Sequence, residues 1–451
     1  MAHFNDTIAA LATPNGTSAL AVLRISGPDT ARLARDLCGV IPPPRCVQRA
    51  DYCDREGVIL DDVLATYFQG PASYTGEDIL EISCHGNPFI AQRILEDLLA
   101  RGCRPALPGE FTQRAYLHGR MDLSQAEAVM DIINARSVRA LTAANQQLRG
   151  ALGRHLDELV DGLLGVLARI EAYIDFPEED LPPEDRELML RELTRLAVNT
   201  GRLLATHHYG NVLRDGMKTV ILGLPNVGKS MLLNRLLGHE RALVSDEPGT
   251  TRDYLEARII IGPHSLRLID TAGINPHPAP LEKMGIMKTM ERAEEADLIL
   301  LVVDSSQPTP VFPDSLEKLL SQERTIVVSN KSDLPTHKNY SFIYNGYQLI
   351  EFSALTCQGL EQLQTAIVGR AESLSVSLGA EIVIINARHA DALGRAQSCL
   401  KAAGDKLLAS EASELIASEL RGALAAFGEI AGKIDNEQML NRLFATFCIG
   451  K

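Results

Sequence analysis

A glycine-rich turn, Gly223-Leu-Pro-Asn-Val-Gly-Lys-Ser230, constrains this chain more than any other feature, because it joins an apolar strand-like run to a helical run. Its glycines let backbone N–H groups turn inward around phosphate oxygens, and the start of the following helix adds its positive dipole. In this pattern Lys229 reaches the terminal phosphates of a nucleotide, and the Ser230 hydroxyl binds Mg²⁺. The turn therefore predicts a nucleotide site at the edge of a mostly parallel α/β sheet.

Three further motifs follow predicted strands and indicate which nucleotide the site binds. Asp270-Thr-Ala-Gly273 fits the outer magnesium shell and the γ-phosphate. In Asn330-Lys-Ser-Asp333, the Asp333 carboxylate can accept both hydrogens that guanine offers, a pair that adenine lacks. Ser353-Ala354, at another strand end, fits the loop whose backbone N–H meets the guanine oxygen. These motifs predict binding of GTP rather than ATP.

The loop between the P-loop and Asp270 reads Ser245-Asp-Glu-Pro-Gly-Thr-Thr251 and predicts a mobile switch. Thr251 is the candidate second magnesium ligand, although a plain loop hydroxyl remains an open alternative. Ile274 stands where a water-orienting Gln would be expected, and no arginine finger can be assigned in this chain. The predicted GTP-binding residues are Asn226, Val227, Gly228, Lys229, Ser230, Met231, Ser245, Asp246, Glu247, Pro248, Gly249, Thr250, Thr251, Asp270, Thr271, Ala272, Gly273, Asn330, Lys331, Asp333, Ser353 and Ala354.

Composition restricts partners and location. The formal charge of −14 argues against a broadly basic nucleic-acid platform, so RNA contacts need a local patch or a partner. The eight cysteines contain no CxxC pair, the N-terminus shows no secretory signal, and no apolar run approaches the length of a membrane span. We therefore expect reduced thiols and a cytoplasmic location.

The 451 residues suffice for several domains at roughly 150 residues each. Residues 1–121 mix strand-like and helical runs, including a predicted helix from Pro88 to Leu99 with the proline in its first turn. Residues 122–217 and 376–451 read as helical, and residues 218–375 alternate strands and helices. Five buried strands are predicted in this last range, at residues 218–222, 266–269, 298–303, 325–329 and 349–352. Asp122 lies three residues before Gln125, a pattern typical of a capping box. This organisation predicts a multi-domain α/β plus all-α chain in which a Ras-like P-loop domain is inserted into a helical domain.

The chain resembles the MnmE (TrmE) family of tRNA-modifying GTPases from end to end. The segments that carry the resemblance are Leu23-Arg-Ile-Ser-Gly27, Ser73-Tyr-Thr-Gly-Glu-Asp78, Pro108-Gly-Glu-Phe-Thr112, Met121-Asp-Leu-Ser-Gln-Ala-Glu-Ala128, Gly249-Thr-Thr-Arg-Asp253 and Phe447-Cys-Ile-Gly-Lys451. The resemblance implies that residues 1–121 form an α+β domain for tetrahydrofolate binding and dimerisation.

It also implies a potassium-activated GTPase whose nucleotide domains pair across a homodimer. Asn226 matches the potassium-binding Asn of the family. Ser245, Glu247 and Thr250 match the loop that completes the coordination, with Glu247 acting through its backbone carbonyl. Potassium at this position can neutralise transition-state charge as an arginine finger does.

Four residues are candidates for catalysis. Glu282 matches the family glutamate that orients the attacking water, although its position alone favours a solvated residue at a helix start. Arg252 and Asp253 belong to the switch-loop motif. Cys448 matches a terminal cysteine that the family needs for tRNA modification, either as a nucleophile or to position folate. An inert thiol is the alternative for Cys448.

The resemblance further implies a 5-formyl- or methylene-tetrahydrofolate site that supplies a one-carbon unit to the wobble uridine. Arg24, Glu81 and Arg120 match its ligand positions, and Lys451 matches a C-terminal contact; position 120 is often Lys in the family. Arg and Glu suit the carboxylate and the pterin of a folate. The implied protein partner is the flavoprotein MnmG, with tRNA contacted mainly through the complex.

Two other functions compete with this interpretation. A ribosome-assembly GTPase would bind RNA by itself and have no use for Arg24 or Cys448. A folate-dependent aminomethyl carrier enzyme would leave the GTPase motifs unexplained.

Overall fold

The computed structural model describes residues 6–175, 183–239, 256–270, 280–310, 312–337, 346–375, 381–432, 440 and 443–451. The chain divides into two compact units, Met1–Met130 with Gly428–Lys451 and Asp131–Phe427. In the parts described, no helix has the length and apolar character that a membrane crossing requires. The three predicted domain boundaries, at residues 121/122, 217/218 and 375/376, stay predictions.

The first unit contains a six-stranded sheet in the order β3-β4-β5-β2-β1-β6. Its neighbours are antiparallel except β1 and β6, which run parallel. Its elements are β1 (Ile8–Leu11), β2 (Leu20–Ser26), α1 (Thr30–Cys38), β3 (Val47–Cys53), β4 (Ile59–Phe68), β5 (Ile79–His85), α2 (Pro88–Ala100), β6 (Arg104–Pro105), α3 (Glu110–Leu117) and α4 (Leu123–Asn134).

Helices α1 and α2 cover one face of this sheet. Alternate residues of the strands, such as Leu23 and Ile25 of β2, are fully buried in the core beneath them. The predicted helix from Pro88 is confirmed: the Asn87 side chain accepts from the Phe89 N–H, and Pro88 occupies the first turn. The opposite face leaves polar side chains of β2 and β5, including Arg24, free to form a site.

The capping box predicted at Asp122 is confirmed. The Gln125 N–H donates to the Asp122 carboxylate at 2.8 Å, and the Asp122 N–H donates to the Gln125 side chain at 2.9 Å. The helix that it starts, α4, packs Leu123 and Ala126 against the aromatic residues of the C-terminal segment, Phe444 and Phe447. This cluster belongs to the first unit and anchors the end of the chain there.

The second unit contains the other six-stranded sheet, in the order β12-β11-β10-β7-β9-β8. All its neighbours are parallel except β8 and β9. Its elements are α5 (Val138–Leu148), α6 (Ala151–Asp175), α7 (Pro183–Asp215), β7 (Met217–Leu222), α8 (Lys229–His239), β8 (Glu256–Ile261), β9 (His264–Asp270), α9 (Pro280–Glu294), β10 (Leu298–Asp304), α10 (Asp314–Glu317), β11 (Thr325–Asn330), β12 (Gln348–Glu351), α11 (Leu360–Ser373), α12 (Ala387–Leu408) and α13 (Ser413–Ala431).

The central strands of this sheet are apolar throughout because both faces are covered. In β10, Leu300 and Val302 point into one buried cluster, whereas Leu301 and Val303 point into the other. The five strands predicted for residues 218–352 are confirmed, each to within two residues at its ends. The sequence did not predict β8, which pairs antiparallel with β9 at the sheet edge.

Candidate functional sites

The P-loop lies between β7 and α8, and its glycines permit close backbone approaches. A Cβ on Gly223 would lie 2.3 Å from the Val302 carbonyl oxygen, and one on Gly228 would lie 2.2 Å from the Asn330 side-chain nitrogen. Lys229 is buried and donates to the Gly223 and Leu224 carbonyls at 3.2 and 2.8 Å. Its ammonium thus lies inside the turn, where a phosphate would meet it.

Three residues of the predicted site in and after the P-loop are exposed. Asn226 is exposed and has a left-handed φ of 63°. Ser230, the second residue of α8, is also exposed, as is Met231 after it. Among the described residues, the Asn226 amide has no hydrogen-bond partner. The Asn226 side-chain oxygen and the Ser230 hydroxyl are therefore accessible as cation ligands.

Asn330, the last residue of β11, connects the P-loop to the loop that begins at Ser353. Its side-chain amide donates to the Val227 carbonyl at 2.7 Å, and its side-chain oxygen accepts from the Ala354 N–H at 3.0 Å. The side chain is buried, with only 2% of the residue exposed. Asn330 therefore fixes the spacing between the P-loop and the loop that begins at Ser353.

The residues predicted to read guanine lie together. The Ser353 hydroxyl donates to the Asp333 carboxylate at 2.6 Å, which aims that carboxylate. Lys331 forms an ion pair of 2.6 Å with Asp304, at the end of β10. Burial raises the pKa of Asp304, but hydrogen bonds from Lys331 and Ser306 outweigh it and hold that pKa below its ordinary value.

Asp304 was not among the predicted site residues. It ends an otherwise apolar buried strand, which is the same signal that identified the Asp-Thr-Ala-Gly motif. Its carboxylate pairs with the Lys331 ammonium and so fixes the end of that side chain.

Several predicted residues lie outside the described part of the chain. They are Ser245, Asp246, Glu247, Pro248, Gly249, Thr250, Thr251, Arg252, Asp253, Thr271, Ala272 and Gly273. Asp270 ends β9, where its backbone pairs with Ile221 of β7, and Glu282 lies in α9. The side chains of Asp270 and Glu282 also lie outside what is described.

The second site lies in the first unit, on the face of the N-terminal sheet opposite α1 and α2. Arg24 of β2 donates to the Glu81 carboxylate of β5 through Nε at 2.9 Å and Nη2 at 2.7 Å. The two residues face each other in the strand register. Arg24 Nη1 donates to the Gly450 carbonyl at 3.2 Å, which brings the C-terminal segment to the same point.

Lys451 lies half-buried at this point. Burial lowers the pKa of its ammonium, and the positive charge of Arg24 lowers it further. The charges of Glu81 and Cys448 act in the opposite direction. Three of the four predicted folate residues, Arg24, Glu81 and Lys451, therefore come together, with Cys448 beside them.

Arg120 stands apart from this group. It is exposed, and among the described residues its guanidinium has no hydrogen bond or ion pair. Its Cγ lies near Gly76, in the loop that carries Tyr74. Cys448 is exposed and unpaired by any disulfide.

Two aromatic residues that were not predicted as site residues hold Arg24. The guanidinium carbon lies 5.6 Å from the Tyr74 ring centroid and 5.7 Å from that of Phe111. The Tyr74 hydroxyl is hydrogen-bonded to that of Thr112 at 2.8 Å. Both rings belong to segments that support the family resemblance. Their contact with Arg24 could not be predicted, because both residues lie far from Arg24 in the sequence.

Family comparisons cover most of the chain. The family model described as "MnmE helical domain" matches residues 123–448, and that described as "GTP-binding protein TrmE N-terminus" matches residues 7–120. A tRNA modification GTPase MnmE from Opitutus terrae is 57% identical over 100% of both chains. Namesakes from Akkermansia muciniphila and Natranaerobius thermophilus are 44% and 39% identical, each over 99% of both chains.

Among solved structures, the G domain of the T. maritima FeoB iron transporter aligns with 34% of this chain and 98% of its own length. The identity is 26% and the TM-score 0.26, a similarity too low to support an argument.

Proposed function

Since this chain belongs to the MnmE family of tRNA modification GTPases, we propose that it is a potassium-activated member that uses a tetrahydrofolate one-carbon unit. With the flavoprotein MnmG, it adds a carboxymethylaminomethyl-type group to C5 of the wobble uridine in certain tRNAs. It acts as a cytoplasmic homodimer, and its GTP hydrolysis times the chemistry carried out at the second site.

The meeting of Arg24, Glu81 and the C-terminal segment is the observation that carries this proposal. Arg24 and Gly450 are far apart in the sequence, yet they are hydrogen-bonded. Glu81 and the two flanking rings fix the guanidinium, so its remaining N–H groups have a defined direction. A GTPase that acted only as a ribosome-assembly switch would have no use for this arrangement.

The chemistry of the side chains fits a folate. The remaining donors of Arg24 and the exposed Arg120 suit a carboxylate or a pterin carbonyl, and Glu81 suits pterin N–H groups. The half-buried Lys451 adds another donor beside them. When bound, the folate supplies the one-carbon unit; the residues of this chain bind and orient it.

Calorimetric titration with 5-formyltetrahydrofolate tests this site. We expect binding by the wild-type chain and a loss of at least about tenfold in affinity for Arg24→Ala, because a charge-assisted bidentate donor is removed. Arg32→Ala is the matched control, since Arg32 forms exposed ion pairs on α1 and an exposed hydrogen bond to the Arg101 carbonyl. Equal affinity in wild type and Arg24→Ala would refute the folate site.

The potassium proposal is supported by Asn226. This exposed Asn points an unpaired side-chain oxygen outward from the P-loop, and neither a Gln nor an assignable Arg finger is present to stabilise the transition state. An oxygen at this position suits a monovalent cation that offsets the charge developing on the phosphates.

GTP turnover measured in potassium and in sodium at equal ionic strength tests the role of Asn226. We expect a much higher rate in potassium for the wild-type chain and a ratio near one for Asn226→Ala. Asn211→Ala, an exposed Asn on α7, should keep the wild-type ratio. Equal wild-type rates in the two salts would exclude potassium activation.

A further inference from the structure

The C-terminal segment, residues 443–451, contacts the N-terminal sheet through two glycines. The first is Gly109, before α3, which has a left-handed φ of 69°. A Cβ built there would lie 2.7 Å from the Phe444 carbonyl oxygen and 2.9 Å from the Phe447 Cβ. Neither atom can move away by a side-chain rotation, because one is backbone and the other is bonded directly to it.

The second glycine, Gly450, belongs to the segment itself and is buried. Its φ is 91°, and a Cβ there would lie 2.6 Å from the Leu11 carbonyl oxygen and 2.8 Å from the Ala12 Cα. Both neighbours are backbone atoms at the end of β1. The segment therefore approaches the start of α3 and the end of β1 at two places where no side chain fits.

Hydrogen bonds to backbone carbonyls of the segment form at these same two places. The Gly109 N–H donates to the Cys448 carbonyl at 3.3 Å, and Arg24 donates to the Gly450 carbonyl at 3.2 Å. Phe444 and Phe447 bury their rings against Leu123 and Ala126, which holds the start of the segment. Cys448 is fixed between the two contacts while its own side chain stays exposed.

We propose that Gly109 and Gly450 are positioning residues for the one-carbon chemistry. By omitting a side chain at each contact, they allow residues 447–451 to lie against the sheet, so that Cys448 and Lys451 are held beside the Arg24–Glu81 pair. This inference rests on the proposed function for its chemical meaning, whereas the steric role of the glycines stands on the geometry alone.

Hydrogen exchange of residues 443–451 in the full chain, followed by peptide mass spectrometry, tests the steric role. We expect Gly109→Ala and Gly450→Ala to raise the exchange rate of this segment by about tenfold, because the contacts open locally. Gly39→Ala is the matched control: its φ of 74° imposes the same backbone strain, but a Cβ there meets nothing within 4 Å.

Gly109→Asn separates steric conflict from backbone strain. Asn tolerates a left-handed φ better than Ala but still carries a Cβ. We expect it to raise exchange as much as Gly109→Ala does. Wild-type exchange in the Asn variant, or no difference between Gly109→Ala and Gly39→Ala, would overturn the steric role.

Affinity for 5-formyltetrahydrofolate tests the positioning role. We expect a loss of about tenfold in Gly450→Ala and none in Gly39→Ala, because only the first displaces the carbonyl bound to Arg24. Unchanged affinity in a variant whose segment exchanges faster would overturn the positioning role. Absence of folate binding by the wild-type chain would instead refute the proposed function, and the exchange comparison would still decide the steric role.

Discussion

At the scale of single residues, the Asn330 side chain connects two loops, donating to Val227 and accepting from Ala354. The sequence predicts Asn330 only as part of the guanine motif and gives no sign of this connection. A motif identifies the residues at the end of one strand. It cannot show that a neighbouring loop supplies the hydrogen-bond partners, because those partners lie far away in the sequence.

Replacing Asn330 tests this connecting role. Asn330→Ala leaves a buried carbonyl and a buried N–H without partners, at a cost of about 1–3 kcal/mol for each group. We expect the affinity for a fluorescent GTP analogue to fall at least about tenfold, because the spacing of the loops is lost. Asn211→Ala, an exposed Asn, serves as the control. Equal affinities in the two variants would contradict the connecting role.

At the scale of secondary-structure elements, the sequence predicts an element correctly where the contacts that stabilise it are local. The capping box at Asp122 and the Pro88 helix start involve residues within three positions of each other, so both could be predicted. Strand β8 was missed because its stability comes from antiparallel pairing with β9. The partners of α3 could not be predicted either, since they come from segments distant in the sequence.

Helix α3 carries the buried charge network of the first unit. Arg114 is completely buried and pairs with Glu110 at 2.9 Å, Asp6 at 2.7 Å and Glu77 at 3.2 Å. Burial raises the pKa of Glu110, but hydrogen bonds from Arg104, Leu107 and Arg114 outweigh it, so that the pKa lies below its ordinary value. The network thus connects α3 to the N-terminus of the chain and to the loop before β5.

Arg114→Met tests the contribution of this network to stability. The variant removes a fully buried cation and leaves Glu77 without its ion pair, while Arg104 still pairs with Glu110 and Asp6. We expect the first unit to lose about 3–5 kcal/mol of unfolding free energy. The denaturant dependence of alkylation at Cys84, a fully buried cysteine of that unit, reports the change. Arg32→Met, in exposed pairs, should cost about 0–1 kcal/mol. Equal midpoints in both variants would contradict the prediction.

The same network predicts that the first unit loses stability at acid pH. Because the folded-state pKa of Glu110 is lowered, its stabilisation is complete above the ordinary carboxylate pKa and is lost as pH falls through the lowered value. We expect the denaturant midpoint of unfolding to drop on acidification in the wild-type chain. Far-UV circular dichroism measures this midpoint, because a protonated thiol is not alkylated at acid pH. Glu110→Gln should be less stable near neutral pH and lose less on acidification. A parallel pH profile in both proteins would show that Glu110 is not the group that titrates.

At the scale of the whole molecule, the sequence predicted which residues belong to the second site but not how they come together. Arg24, Glu81, Lys451 and Cys448 were identified only through the family resemblance. Periodicity and propensity cannot bring the end of a chain to its second strand, because no local pattern encodes the Arg24–Gly450 contact. The aromatic residues that hold Arg24 were missed for the same reason.

Cys448→Ser tests whether GTP hydrolysis and one-carbon chemistry can be separated. We expect unchanged GTP turnover, because Cys448 lies in the first unit and the P-loop in the second. Modified wobble uridine, measured by mass spectrometry of tRNA nucleosides in a deletion strain carrying the variant, should be lost, since a serine hydroxyl cannot provide a thiolate. Cys46→Ser, another exposed cysteine, should restore modification. If Cys448→Ser also restores modification, the thiol has no role in the chemistry, and Arg24, Glu81 and Lys451 alone define the site.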